Sequence, residues 1–180
     1  RGGPTPPLVA WRPGRADVAR CLTRARLDGR ASMEPVSIIL VLHGPNLNLL
    51  GQREPHIYGT DTLDDHIAAA TRAAAPLGFE VESFQSNHEC ALVDAIHAAR
   101  GRCAAIIINP GAFTHYAWSI HDALAAFDGP VIEVHLSNPN AREPWRHTSV
   151  VGPVATGSIV GLGQQGYEVA VAAVAKRVAA

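Results

Sequence analysis

No apolar run in this 180-residue sequence approaches the roughly 20 residues a helix needs to span a bilayer, and stretches such as Ile38 to Leu42 are strand-sized. A membrane-embedded protein is not expected. Charge of one sign is also lacking: 15 basic side chains stand against 16 acidic ones, which leaves no electrostatic footprint for nucleic acid or an anionic membrane. Cysteine is scarce. Cys21, Cys90 and Cys103 are odd in number, widely spaced and without paired metal-ligand spacing. That pattern suits free thiols in a reducing, cytoplasmic compartment. The nine histidines contain no helical zinc motif, so no metal is expected. What is present is 47% hydrophobic residues in the length of one ordinary domain, enough to bury a core without disulfides or metals.

Residues 1–32 differ from everything that follows. They hold Gly, Pro and seven arginines, with Asp17 and Asp28 as the only acids and no clean apolar period, a composition that predicts a disordered extension. An Arg-rich, acid-poor leader also has the character of a transit peptide, but the only methionine, Met33, lies just before the first predicted strand. The reading favoured is an extension over 1–32 and a working domain over 33–180.

From Val36 onward, β-branched runs alternate with helix-length segments. Strands are predicted over Val36 to Leu42, Phe79 to Ser83, Ala104 to Asn109, Val131 to His135 and Ser158 to Val160, and helices over Thr62 to Pro76, His88 to Arg100, His115 to Phe127 and Tyr167 to Val178. Capping boxes are expected at Thr62 to Asp65 and Ser86 to Glu89. Repeated βαβ units imply an α/β fold, a flavodoxin-like, doubly wound, five-stranded parallel sheet in a single domain. Ligands bind such sheets at the carboxyl ends of their strands.

Those ends carry the polar residues. The first strand runs into a long loop, His43 to Gly59; the third ends in Asn109-Pro110-Gly111-Ala112-Phe113-Thr114-His115; the fourth continues from Glu133-Val134-His135 to His147. Glu133 and His135 are two apart on a strand and so share a face, where a carboxylate can fix an imidazole's tautomer and keep it protonated, as a general acid requires. The plainer alternative is a strand-end ion pair. Asn46 and Asn109, taken alone, read as turn formers, Tyr58 and Arg53 as surface residues, and His115 as a helix start. Convergence of three strand ends on one polar site favours function.

Gly161-Leu162-Gly163-Gln164-Gln165-Gly166 matches the G-x-G-x-x-G dinucleotide fingerprint. No second strand follows to supply the acidic residue expected about 20 positions later, so the glycines read as a tight turn and a close helix packing. A nucleotide-binding oxidoreductase is kept as one alternative, and a non-catalytic flavodoxin-like binding module as another.

Gly44-Pro45-Asn46-Leu47-Asn48, Arg53-Glu54-Pro55, Glu133-Val134-His135 and Gly161-Leu162-Gly163, in this order and spacing, resemble the type II 3-dehydroquinate dehydratases from about Val36 to the C-terminus. The resemblance implies a cofactor-free lyase that removes water from 3-dehydroquinate. It also implies roles: Tyr58 as base, Arg53 as its electrostatic partner, Asn46 as holder of a water facing an enolate oxygen, and His135 as acid oriented by Glu133. The substrate carboxylate would sit on the amides of Leu136 and Ser137 and the Ser137 hydroxyl. Asn109, His115 and Arg146 would bind ring hydroxyls, and Asp122 would reach a neighbouring subunit's site in a dodecamer of four trimers. A segment from Gly51 to Gly59 is expected to close as a lid that carries Arg53 and Tyr58. The one lysine, Lys176, lies in the last predicted helix, away from the strand ends, which argues against imine-forming dehydratases. Two departures from the family pattern stand out: Cys90, expected to be a buried spectator, and the bulky Tyr116-Ala117-Trp118-Ser119.

Overall fold

A computed structural model describes residues 37–52 and 59–179. The proposed extension over 1–32, and Arg53 and Tyr58 with it, lie outside the described residues. Five parallel strands, β1 (Ser37–His43), β2 (Phe79–Gln85), β3 (Ala105–Asn109), β4 (Val131–His135) and β5 (Gly157–Val160), form one sheet in the order β2-β1-β3-β4-β5. This is the flavodoxin-like order, and it makes β1, β3 and β4 neighbours, as the polar strand ends required. The four helices are α1 (Leu63–Ala74), α2 (Glu89–Ala99), α3 (Trp118–Ala125) and α4 (Gln165–Val178).

Strand alternation divides the core in two. Leu40, Leu42, Ile106 and Ile108 pack against Leu92 and Ile96 of α2 and Ile120 and Leu124 of α3. Ile39, Val41, Ala105, Ile107, Ile132 and Val134 pack against Ala70 and Ala74 of α1 and Ala170, Val171 and Val174 of α4. Coverage of both faces explains why β1, β3 and β4 read as continuous apolar runs while the edge strand β2 alternates.

Local chemistry sets the boundaries. Thr62 caps α1 through a reciprocal capping box with Asp65, as predicted. Pro76 then turns the last residues into a 3-10 turn that Gly78 closes at φ 82°. The second expected capping box does not form. Ser86 Oγ accepts from the His88 amide, and His88, without a side-chain cap, precedes α2; Ser86 therefore shapes a turn one step ahead of the helix. His115 ends a separate 3-10 turn (Gly111–His115), and α3 starts three residues later at Trp118. Cys90 is exposed, not buried, because it lies on the solvent side of α2 while Leu92 and Ile96 face the sheet.

At the carboxyl end of β1, alternation turns His43 toward α1 and α4, where it is fully buried beside His66 and Tyr167. Burial, aided by neighbouring His66, lowers the His43 pKa to about 3, and burial lowers that of His66 against the pull of Asp61 and Asp65. A histidine near 6.5 when unfolded and near 3 when folded binds its proton preferentially in the unfolded chain, so stability is full above pH 6.5 and declines as pH falls toward 3. The slope from His43 alone is about 1.4 kcal/mol per pH unit once below its unfolded pKa. In urea unfolding between pH 7.5 and 5, we expect the parent to lose stability steadily and His43→Asn to lose it by about that much less per unit. Equal slopes would show that His43 does not carry the effect.

Candidate active site

Glu133 and His135 leave the same side of β4, as their spacing predicts, and His135 Nε2 lies 2.8 Å from Glu133 Oε1. The carboxylate is buried, 2% exposed, and is not left to a single partner. Thr114 Oγ1 donates to Oε1 at 2.5 Å, Ser149 Oγ reaches both oxygens at 3.2 Å, and Ser158 Oγ donates to Oε2 at 3.2 Å. Burial pushes the Glu133 carboxyl up, but the hydrogen bonds from His135, Thr114 and Ser149 outweigh it and hold the pKa below the usual glutamate value. The result is an ionised carboxylate under the sheet end, supplied with donors by three hydroxyls. By accepting the Nε2–H it fixes the imidazole plane and tautomer and leaves Nδ1 for proton transfer.

His135 forms part of the wall of a cavity of about 170 Å³ at the carboxyl ends of β1, β3 and β4. The same walls include Asn46, Asn109, His115, Leu136, Ser137 and Arg146, so the structure gathers most of the residues singled out in the sequence around one space. Asn46 sits at φ 65°, the sole non-glycine residue with positive φ among those described, a conformation asparagine tolerates better than most. Its backbone N–H is held by Asn87 Oδ1 at 2.8 Å, and its side chain makes no cap bond. Asn46 combines this turn conformation with a place in the cavity wall. Asn109 is almost wholly buried. His115 is fixed by Nδ1 on the Thr148 carbonyl at 2.7 Å, and Arg146 donates from Nε to Glu143 at 2.7 Å.

The matching family model is described as dehydroquinase class II and covers residues 37–175. The chain belongs to the class II dehydroquinase family. A relative from Aspergillus clavatus, named catabolic 3-dehydroquinase, is 58% identical over 137 residues, 76% of this chain and 91% of that protein. One from Bacillus licheniformis, named 3-dehydroquinate dehydratase, is 55% identical over 133 residues, 74% of this chain and 92% of that protein. Among solved structures, the type II dehydroquinase from Propionibacterium acnes superposes with a TM-score of 0.75 at 47% identity, covering 78% of this chain and 97% of that one.

Two expectations for this class II dehydroquinase need separate treatment. Asp122 is exposed on α3 and is not part of the cavity wall; within one chain it stands apart from the site. Arg53 and Tyr58 lie outside the described residues, and the ends of their segment lie within them. Leu50 lines the cavity, and a Cβ on Gly51 would lie 2.9 Å from the Thr60 carbonyl oxygen. The stems of the segment therefore meet where the chain leaves the site.

Sequence reasoning passed over several contributors. Arg142 and Trp145 also line the cavity. The Trp145 ring meets His115 edge-on at 5.1 Å, and the Arg146 guanidinium lies 4.0 Å above it, so one indole braces two cavity residues. Trp145 and Arg142 lie in the polar run after β4, which was the available signal. Thr114, Ser149 and Ser158 had none, because hydroxyls from three separate segments meet at Glu133 only in the folded chain.

The dinucleotide fingerprint has a different use. Gly161 N–H donates to the His135 carbonyl at 3.1 Å and Gly163 N–H to that of Leu136 at 3.0 Å. Both glycines hold φ near the left-handed region, 81° and 53°. Amides that a pyrophosphate would need are spent on fixing the loop after β4, and the oxidoreductase reading is not supported.

Proposed function

We propose that the protein is a type II 3-dehydroquinate dehydratase, a hydro-lyase that eliminates water from 3-dehydroquinate to give 3-dehydroshikimate. The observation that carries this reading is the Glu133–His135 pair at the wall of a cavity otherwise bounded by Asn46, Asn109, His115, Ser137 and Arg146. Dehydrating a β-hydroxy ketone needs a base for the α-proton, stabilisation of the resulting enolate and an acid for the departing hydroxyl. In the proposed division of labour, Tyr58 takes the α-proton as the C–H bond breaks. Asn46, through a water, faces the enolate oxygen. His135, oriented by Glu133, then gives its proton to the hydroxyl as the C–O bond breaks, and water leaves.

A phenol ordinarily ionises near pH ~10, and bringing it to neutrality requires about 4 kcal/mol. A guanidinium about 4 Å away supplies roughly 1 kcal/mol in open water and about 4 kcal/mol at an effective dielectric of ~20. This is the role proposed for Arg53, and it works only where water is largely excluded. Leu136 and Ser137 amides with the Ser137 hydroxyl would hold the substrate carboxylate, and Asn109, His115 and Arg146 its ring hydroxyls.

Conjugated enone formation from 3-dehydroquinate, followed by ultraviolet absorbance, tests the reading. We expect His135→Ala to lower kcat by about a hundredfold or more with a smaller effect on KM, as loss of a transition-state proton donor should. Tyr58→Phe should abolish turnover while sparing binding, and Arg53→Ala should move the onset of activity to higher pH. Near-parental kcat in Tyr58→Phe or His135→Ala would remove that residue from its role.

The assembly we propose is a dodecamer of four trimers, in which Asp122 meets a neighbouring subunit's site. Its support is that Asp122 shares a face of α3 with Trp118, and that Tyr116 and Trp118 are 57% and 61% exposed, large aromatic surfaces that an isolated chain would leave in water. A cytoplasmic setting is proposed from the unpaired Cys90 and Cys103. Among the described residues no helix is long and apolar enough to cross a membrane. Residues 1–32 are proposed to lie outside the working domain. A chain lacking 1–32 should keep kcat and the dodecameric mass in light scattering. A fully active monomer would contradict the assembly, and a large fall in Tm would contradict the dispensable extension.

A further inference from the structure

Tyr167 is the largest fully buried side chain in the described structure, and its hydroxyl is placed where an apolar core would not want it. It follows directly on the glycine-rich turn. A Cβ on Gly166 would lie 3.4 Å from Val134 Cγ1 and 3.6 Å from Ile159 Cγ2, ordinary contact distances, so the first turn of α4 packs directly on β4 and β5. That approach carries the Tyr167 hydroxyl beneath the ends of β1 and β3. His43 and Asn109 are partners in register there, with side chains on the α4 side of the sheet. The hydroxyl lies 3.1 Å from His43 Nδ1 and accepts from Asn109 Nδ2 at 3.2 Å. Asn109 Oδ1 in turn accepts from the Gly111 amide at 3.2 Å.

We infer that Tyr167 is a positioning residue for the proposed dehydratase site: its hydroxyl, directed by His43, sets the orientation of the Asn109 carboxamide that binds substrate. The inference rests on the dehydratase reading for the substrate. An asparagine amide has two faces of opposite polarity, and a free carboxamide can present either. Here one end is read by a hydroxyl and the other by a backbone N–H, so the remaining Nδ2 hydrogen and Oδ1 lone pair face the cavity in one arrangement only. His43 fixes the direction of the chain. As a neutral imidazole it accepts the Tyr167 proton at Nδ1, which leaves the hydroxyl oxygen to accept from Asn109. Burial keeps His43 in that form throughout the neutral range. The same burial pushes the Tyr167 phenol well above its ordinary range, so the hydroxyl keeps its proton and does not compete as an acid or base.

The cluster extends beyond these three side chains. His43 Nε2 and both ring nitrogens of His66 are buried without a hydrogen-bond partner among the described residues. His66 also packs its ring 5.6 Å from that of Tyr167, so the hydroxyl sits in a polar cluster within the core. A buried polar cluster behind a binding residue suits a positioning device.

The test is a double-mutant cycle on 3-dehydroquinate with Tyr167→Phe, Asn109→Ala and the pair. Tyr167→Phe should raise KM about fivefold, the value of one neutral hydrogen bond, with kcat within about twofold. In the Asn109→Ala background the same change should move KM by less than about 1.5-fold, because the group it positions is gone. A merely structural tyrosine would lower Tm and leave KM alone, or act equally in both backgrounds, and either result overturns the inference. A neutron crystal structure of Tyr167→Phe, in which amide N and O are told apart, decides the matter even if the parent fails to turn over 3-dehydroquinate, an outcome that would sink the dehydratase reading itself. An Asn109 carboxamide turned or split between two orientations supports the inference, and one unmoved contradicts it.

Discussion

A carboxylate at the end of a buried strand is the constraint around which the active end of this protein is organised. Removed from water, Glu133 would be costly as an anion and useless as an acid's partner if neutral. Thr114, Ser149 and Ser158 resolve that by donating to it, and each comes from a different part of the chain: the turn after β3, the loop before β5, and β5 itself. The arrangement therefore ties the local segments together as it orients His135. Ser149 Oγ also accepts from the Val151 and Gly152 amides at 3.1 and 2.7 Å, so the loop is fastened to the hydroxyl that fastens the carboxylate.

The rest of the site follows from the same parallel sheet. Alternation on β4 sends Glu133 and His135 to one face, while alternation on β1 and β3 sends His43 and Asn109 to the other, against α4. The cavity thus draws on both layers. One layer supplies His135 with the buried Glu133 carboxylate, and the other supplies the Asn109 amide with Tyr167 and His43 behind it. The glycine-rich turn before α4 serves both, because its amides hold the carbonyls of His135 and Leu136 and Tyr167 follows directly on it.

Much of this was legible before any coordinates. Strand number follows from apolar runs and their spacing, strand order and the convergence of β1, β3 and β4 from the flavodoxin-like fold those runs imply, and Glu133-x-His135 announces its geometry through the two-residue period of a strand. What failed was local. Ser86 and Glu89 match a capping box in letters but not in geometry, since the helix starts at Glu89 itself. His115 seemed to open a helix because the 3-10 turn and α3 are nearly continuous in sequence, yet Tyr116 and Ala117 break them apart with non-helical backbone. The hydroxyl ring at Glu133 and the link from Tyr167 to Asn109 span 16 to 58 residues of separation, and no local pattern encodes contacts of that range.

We propose that the charge on Glu133, and not only its shape, makes His135 an effective acid. Glu133→Gln keeps the side chain's size, and the Thr114, Ser149 and Ser158 hydroxyls can rotate to accept from the new amide. The most direct measurement is therefore kcat for 3-dehydroquinate dehydration by Glu133→Gln beside the parent, with Tm recorded for both. A fall in kcat of about tenfold or more, with KM changed by less than about threefold in a folded enzyme, is what the account predicts. Parental kcat in a folded Glu133→Gln protein would contradict it.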